Sequence, residues 1–395
     1  MTILVKFEKK LFVLCFLAYT SIYVARLNLT AASPYLQNGS ILTESQLGRI
    51  SSAFLIVYAF GRLLNGAMCD RLQPRRIIFV GSIVIGLSNL ALATLPSFPL
   101  FCLLWGINGY AQSMLWGPVL RTVCAKTSPK KKTVAVSILG SSVCVGNVVG
   151  LVASFSAIDS FGVRYAFLLP GILSVFIALA TCFFFRIDIE KGDDATHNFP
   201  QIAMLKQPSI RQMLVPAMLH GVLKDNLNVW VALFFASVYQ IDTSAIPLFI
   251  FAVPITGMVG RLACPFLYRA ASNKSIVVNI CSFSICALAA LLLSFGKVSA
   301  LIAAVLLCIL SASVQVINNS VLGIFPSSFE KNGNVSQVAG WMDFFTYLGA
   351  GISSNIYGRI IEHFGFNTMF ASWCGLSIIA IAWLFYTDCR KPYAK

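Results

Sequence analysis

Charge is what this sequence has least of. Only 11% of its 395 residues are Asp, Glu, Lys or Arg, and the acids number 14. Soluble domains carry roughly 25% charged residues, so a water-soluble globular chain is excluded. Histidine is nearly absent, with three residues, and the 12 cysteines are scattered without paired spacing. That excludes a disulfide framework and a Cys/His metal site, and leaves cysteine acting as a small apolar residue. Neither a nucleophile elbow nor a phosphate-binding Gly-Lys-Ser loop occurs, so no catalytic constellation stands out. No cofactor or metal is expected.

What is present is apolar length. Hydrophobic residues make up 58% of the chain, and mean hydropathy is +0.82. Runs long enough to cross a bilayer as helices recur from end to end, which describes an all-α polytopic membrane protein. Twelve spans are expected, at about 10–32, 46–69, 77–96, 99–122, 133–158 and 163–186, then 210–239, 246–268, 275–296, 299–323, 335–360 and 365–387. The longest polar segment, Ile187 to Pro208, reads as a linker between two six-helix halves, residues 1–186 and 210–395. The first apolar run is too long for a cleavable signal peptide, so it is expected to stay.

The net charge of +15 could suggest a nucleic-acid binder, but the positions of the bases argue against it. With both termini inside, 20 of the 29 Lys and Arg fall in cytoplasmic segments. Arg49, Arg164, Lys297 and Arg359 lie outside, and Arg26, Arg62, Arg121, Lys224 and Arg261 lie within spans. This positive-inside bias reports topology and attraction to anionic lipid. The bilayer is the expected partner, in a bacterial inner or plasma membrane, and nothing requires an oligomer.

Arg26 is the pivotal charge. It ends the stretch Tyr19-Thr-Ser-Ile-Tyr23-Val-Ala-Arg26, with both tyrosines on its helical face. A guanidinium near mid-membrane costs about 2.5–3.5 kcal/mol on insertion scales and is tolerated where it faces a watery cavity. Its planar fork suits phosphate or carboxylate. The halves carry related pieces: Gly61-Arg62-Leu63 recurs as Gly260-Arg261-Leu262 at an offset of 199, and Arg26 is matched by Lys224 at 198. Phe161-Gly162 with Phe167 recurs as Phe364-Gly365 with Phe370 at 203. A duplicated bundle with a midplane site follows, with Arg26 and Lys224 facing one another across the cavity.

Around Lys224 stand His220 and Asn228, each one turn away. His220 is a candidate for substrate binding or a proton relay, and equally for an interhelical hydrogen bond. Lys224 is a candidate either for substrate binding or for a salt bridge to Asp343 or Asp225, and both can hold in turn if substrate opens the pair. Asp225 projects about 100° away from Lys224 on a helix, so adjacency alone does not make them partners. Asp343, one turn before Tyr347, is either a proton carrier or a static counterion. The amides Asn108, Gln112, Gln315, Asn318 and Asn319 read singly as interhelical hydrogen-bonding groups.

Gly66-Ala-Met-Cys-Asp70-Arg71-Leu-Gln-Pro-Arg75-Arg76 resembles the loop signature of the major facilitator superfamily, which implies the major facilitator fold and a gating loop built on Gly66, Asp70, Arg71, Arg75 and Arg76. In the second half Tyr268 stands where Asp70 would be. Within that superfamily the chain looks most like the organophosphate:phosphate antiporters. The matching stretches are Tyr23-Val-Ala-Arg26-Leu-Asn28 to Leu36, Tyr58-Ala-Phe-Gly-Arg62 to Arg75, Gln112 to Thr122, and Tyr347-Leu-Gly349. The resemblance implies that Arg26 and Lys224 grip the phosphate, that Tyr19, Tyr23, Tyr58 and Tyr347 line its path, and that Arg62 is a further basic residue there. Departures are Val143 in place of a histidine, Gly221 in place of a tyrosine one turn before Lys224, and Val229 and Phe251 where acids would balance charge.

The function implied is a secondary transporter that exchanges an organophosphate for inorganic phosphate by alternating access. Two other readings stand beside it. One is a proton-coupled symporter of a carboxylate or other organic anion, with Asp343 or Asp225 titrating. The other is a transporter-like membrane sensor of a sugar phosphate.

Overall fold

The computed structural model describes residues 2–68, 72–95, 97–127, 129–185, 202–242, 245–272, 274–327 and 335–389. The first half contains α1 (Thr2–Asn38), α2 (Glu44–Met68), α3 (Pro74–Leu92), α4 (Phe98–Ser113), α5 (Trp116–Lys126), α6 (Pro129–Phe161) and α7 (Tyr165–Phe184). The second contains α8 (Pro208–Val238), α9 (Ile246–Ile250), α10 (Ala252–Ala270), α11 (Ser275–Ser294), α12 (Ala300–Asn319), α13 (Phe325–Ser327) and α14 (Val335–Cys389). No strand occurs among the described residues. Every expected span is occupied by helix. The fourth is split at Met114–Leu115 into α4 and α5, and the eighth at Phe251 into α9 and α10. The tenth ends in a π turn, Ser320–Ile324. The last two follow one another directly in α14, two helices that meet at Gly365, whose φ of 76° and ψ of 175° are not helical. A positive φ suits glycine, which has no Cβ to clash there.

The pattern of burial is that of a membrane bundle. On α7 the buried positions are Ala166, Phe167, Pro170, Gly171, Ser174, Ile177, Ala178 and Thr181, mostly small residues at helical spacing. Its outward positions are large and apolar, with Phe176 65% and Phe183 63% exposed. Water would penalise that arrangement. Lipid accepts it, because close packing of small residues, not solvent exclusion, drives helices together there.

The chain forms two compact units: Met1–Ile41 with Ala53–Phe199, and Leu42–Ser52 with Pro200–Lys395. In the first, α1 packs on α6 and α3 on α7; in the second, α8 packs on α14 and α11 on both α14 and α12. Glycines set the close seams. A Cβ on Gly146 of α6 would stand 2.6 Å from the Thr20 carbonyl oxygen of α1, and one on Gly150 2.9 Å from the Val24 Cα. The same seam recurs in the second unit, where a Cβ on Gly349 of α14 would stand 2.6 Å from the Met218 carbonyl oxygen of α8. Gly146 and Gly349 are 203 residues apart, the offset of the Phe-Gly repeat. The duplication is therefore carried by packing as well as by sequence.

Overpacking such a seam costs about 1–3 kcal/mol. Gly349→Val is expected to lower the thermal unfolding midpoint in detergent. Gly375→Ala, where a Cβ meets nothing within 4 Å, should leave it unchanged or slightly raised through helix propensity. Equal effects of the two would contradict the seam.

Candidate functional site

Arg26 sits halfway along the first span inside a cage of rings. Its guanidinium carbon lies 4.4 Å from the centroid of Tyr58, 5.0 Å from Phe54 and 5.1 Å from Tyr23. Its Nε donates to Gln112 Oε1 of α4 at 3.1 Å. Helical spacing makes the cage: Tyr23 lies one turn before Arg26 on α1, and Phe54 and Tyr58 lie one turn apart on α2, stacked at 5.9 Å. A desolvated cation over a ring gains about 0.5–2 kcal/mol, and a hydrogen bond to a charged group about 1.5–3 kcal/mol. Together these offset the cost of keeping a guanidinium in the membrane. Gln112 is itself oriented from behind, since its amide donates to Ala25 O at 3.2 Å and to Asn108 Oδ1 at 3.3 Å.

The other expected residues of this unit gather on the same rings. Tyr19 packs edge-on against Tyr23 at 5.6 Å and tilts over Trp116 at 4.7 Å, forming a layer behind the cage. The guanidinium of Arg62 approaches Tyr58 at 6.0 Å, so Tyr58 stands between two arginines. Phe54, Trp116 and the Arg26–Gln112 bond were not singled out by sequence. The signal for Gln112 was an amide placed within an apolar span.

The second unit solves the same problem with different parts. Lys224 Nζ lies 4.5 Å from the centroid of Tyr347 on α14. It also stands 3.3 Å from Asp225 Oδ2, with both side chains about 10% exposed. Of the two acids considered as salt-bridge partners for Lys224, this is Asp225, although the helical angle turns the two side chains apart. The lysine stem has four carbons and bends around the helix to reach its neighbour. Asp343 is half-buried on α14, one turn before Tyr347.

Gly221 explains the aromatic. A Cβ there would collide with the Thr346 carbonyl oxygen, so α8 and α14 meet backbone to backbone one turn from Lys224. At the matching place in the first unit stands Tyr23, offset 198, which gives Arg26 a ring from its own helix. The position matching Tyr347 in the first unit is Cys144, offset 203. The ring that supports the cation has thus moved from the cation's own helix to the helix packed against it. A tyrosine at 221 would not fit that seam.

His220 is fully buried, and both ring nitrogens have protein partners. Nδ1 lies 3.0 Å from Ala217 O, which can only accept, so Nδ1 carries the proton. Nε2 lies 3.0 Å from Asn318 Oδ1 of α12. In this arrangement His220 ties α8 to α12.

Of the loop signature, Asp70 and Arg71 lie outside the described residues, and Gly66 falls in the last turns of α2. Arg75 donates from Nη2 to the Cys182 carbonyl in the last turn of α7, satisfying a helix end with a cation. Arg76 is exposed. No cluster able to hold a metal occurs among the described residues.

Comparison with known proteins decides the family. The Major Facilitator Superfamily profile matches residues 11–354. The chain belongs to that superfamily. A probable hexose phosphate transport protein of Chlamydia trachomatis is 24% identical over 415 residues, covering 94% of this chain and 89% of the relative. The membrane sensor protein UhpC of Salmonella typhimurium is 22% identical over 403 residues, covering 95% and 89%. Among solved structures, a bacterial homologue of the human lysosomal transporter Spinster, inward-facing and occupied, superposes with a TM-score of 0.81 at 14% identity. It covers 98% of this chain and 97% of that one, a likeness of fold alone.

In this major facilitator the ring over Lys224 should matter as a face, not as a hydroxyl. Tyr347→Phe is expected to keep the thermal unfolding midpoint in detergent near that of the parent, and Tyr347→Leu to lower it, since a cation–ring contact is worth about 0.5–2 kcal/mol. Equal loss in both variants would show that the hydroxyl, and not the ring, is what counts.

Proposed function

We propose that this chain carries a small organic phosphate across the membrane in exchange for inorganic phosphate, with Arg26 and Lys224 as the anion-binding residues. The observation that carries the reading is the Arg26 cage. Three aromatic faces and one neutral amide hold a guanidinium within the membrane span. Rings and an amide are neutral supports that lower the cost of a cation there. A guanidinium fork takes phosphate bidentately through charge-assisted hydrogen bonds.

Lys224 adds a competition. Its neighbour Asp225 holds the ammonium at 3.3 Å, and an incoming phosphate must displace that carboxylate. A carrier whose resting ion pair opens only for substrate reorients slowly when empty and quickly when loaded. That difference favours exchange over net flux and needs no titrating acid. Asp343 then balances charge, while Tyr19, Tyr23, Tyr58, Tyr347 and Arg62 line the path. A relative named as a hexose phosphate transporter supports the organic-phosphate class. The named bacterial relatives support a bacterial inner membrane.

A second reading has its own support, since one full-length relative is named a membrane sensor. A sensor would bind the anion without moving it, so flux separates the two.

The test is counterflow in proteoliposomes loaded with glucose 6-phosphate, with labelled inorganic phosphate outside. The parent should accumulate label, and Arg26→Ala should lose at least about a hundred-fold of that rate, as two charge-assisted bonds imply. Full counterflow by an Arg26→Ala protein that inserts normally would remove Arg26 from the site. Phosphate binding by the parent without counterflow would favour the sensor.

A further inference from the structure

The duplication contains one exchange of partners that the anion reading does not use. Gln112 of α4 and Gln315 of α12 are related by the offset of 203. In the first unit that amide accepts from Arg26, on the first span of the half. In the second unit the equivalent span carries Lys224, which has no fork. The amide of Gln315 accepts instead from Arg261 Nη2 at 3.1 Å, across from α10. The same glutamine position thus anchors a guanidinium in both units, but the guanidinium comes from a different helix.

Arg261 is fixed in place by its own backbone. A Cβ on the adjacent Gly260 would collide with the Ala312 carbonyl oxygen, so α10 lies directly on α12 at this level. Asn319 Nδ2 donates to Arg261 O at 3.1 Å, and Ser311 Oγ donates to Val253 O at 2.8 Å, stitching the two helices on either side. Among the described residues the guanidinium is thus partnered by a neutral amide and not by a carboxylate. A half-buried arginine inside a span with only an amide beside it keeps its charge for an anion.

The residues around it form a connected path. Gln315 and Asn318 are one turn apart on α12, Asn318 meets His220, and His220 is one turn before Lys224 on α8. At 1.5 Å per residue, Arg261 is about 13 Å from the C-terminal end of α10, and Lys224 about 24 Å from the N-terminal end of α8. Those two ends lie on the same side of the bundle, the side from which the linker enters. Arg261 therefore stands nearer the linker side than Lys224 does.

We infer that Arg261, held by Gln315, is a second oxyanion contact of the C-terminal unit, supplying the guanidinium fork that Lys224 lacks and receiving the substrate's phosphate on the linker side of Lys224. The inference rests on the anion-carrier reading. It predicts sidedness: an anion arriving from the linker face meets Arg261 first.

The test measures phosphate half-saturation from each face of oriented proteoliposomes, together with the thermal shift that inorganic phosphate gives the purified full chain. Arg261→Gln should raise half-saturation about ten-fold or more from the linker face, the value of one charge-assisted hydrogen bond, and change it less than about two-fold from the other. Arg261→Lys should fall between, because the charge survives without the fork. Gln315→Glu should reproduce the Arg261→Gln defect while retaining the arginine, since a carboxylate at that place neutralises it. This variant answers the question even if the Arg261 variants do not insert. Unchanged half-saturation in Arg261→Gln and Gln315→Glu would overturn the inference, and so would a fall in maximal rate alone that Arg261→Lys shares in full. If the parent binds phosphate but transports none, the carrier reading fails while the loss of thermal shift in these variants still supports Arg261. If the parent neither binds nor transports phosphate, both fall.

Discussion

Everything in this molecule turns on holding positive charge within an apolar bundle. The first unit surrounds Arg26 with the faces of Tyr23, Phe54 and Tyr58 and the amide of Gln112. Quadrupoles and amide dipoles lower the cost of a buried cation. The second unit mixes the two solutions: a ring and a carboxylate for Lys224, an amide for Arg261. The units therefore differ in how firmly each cation is held before substrate arrives.

Close packing is what allows that arrangement. Rings reach a cation only if helices approach to backbone contact. Gly146 and Gly349 provide matching approaches in the two units. Gly221 then goes further. By removing the side chain one turn before Lys224, it brings Thr346 against α8 and sets the neighbouring Tyr347 over the ammonium. A glycine that looks like a lost binding residue is, in three dimensions, the reason another residue can take over. His220, tied to Asn318, belongs to the same framework and steadies the helix from which Lys224 projects.

Much of this was legible in the sequence, and the gaps have physical causes. Apolar run length placed the spans, because backbone hydrogen-bonding in lipid leaves helix as the option. Arg26 and Tyr23 were legible because an in-membrane charge is costly and their spacing puts a ring beside it, whereas Tyr58, on another helix, came only with the family resemblance. The Lys224–Asp225 pair was one of two readings left open, because an ideal helical angle turns the side chains apart while a long lysine can still reach. Gln112 and Gln315 were visible only as buried amides, since which arginine each would meet depends on pairing between spans. The break at Met114–Leu115 is decided by tertiary packing near a span end, where local pattern is weakest. Asp70 and Arg71, central to the loop signature, lie outside the described residues.

The central claim is exchange of phosphate by a carrier that needs no proton. It is tested most directly by uptake of labelled inorganic phosphate into proteoliposomes preloaded with phosphate, with and without a pH gradient. The account predicts rapid homoexchange at the same rate in both conditions. Phosphate uptake that appears only with the gradient would contradict it and make Asp343 or Asp225 a proton site, as would uptake that proceeds equally well into vesicles containing no phosphate.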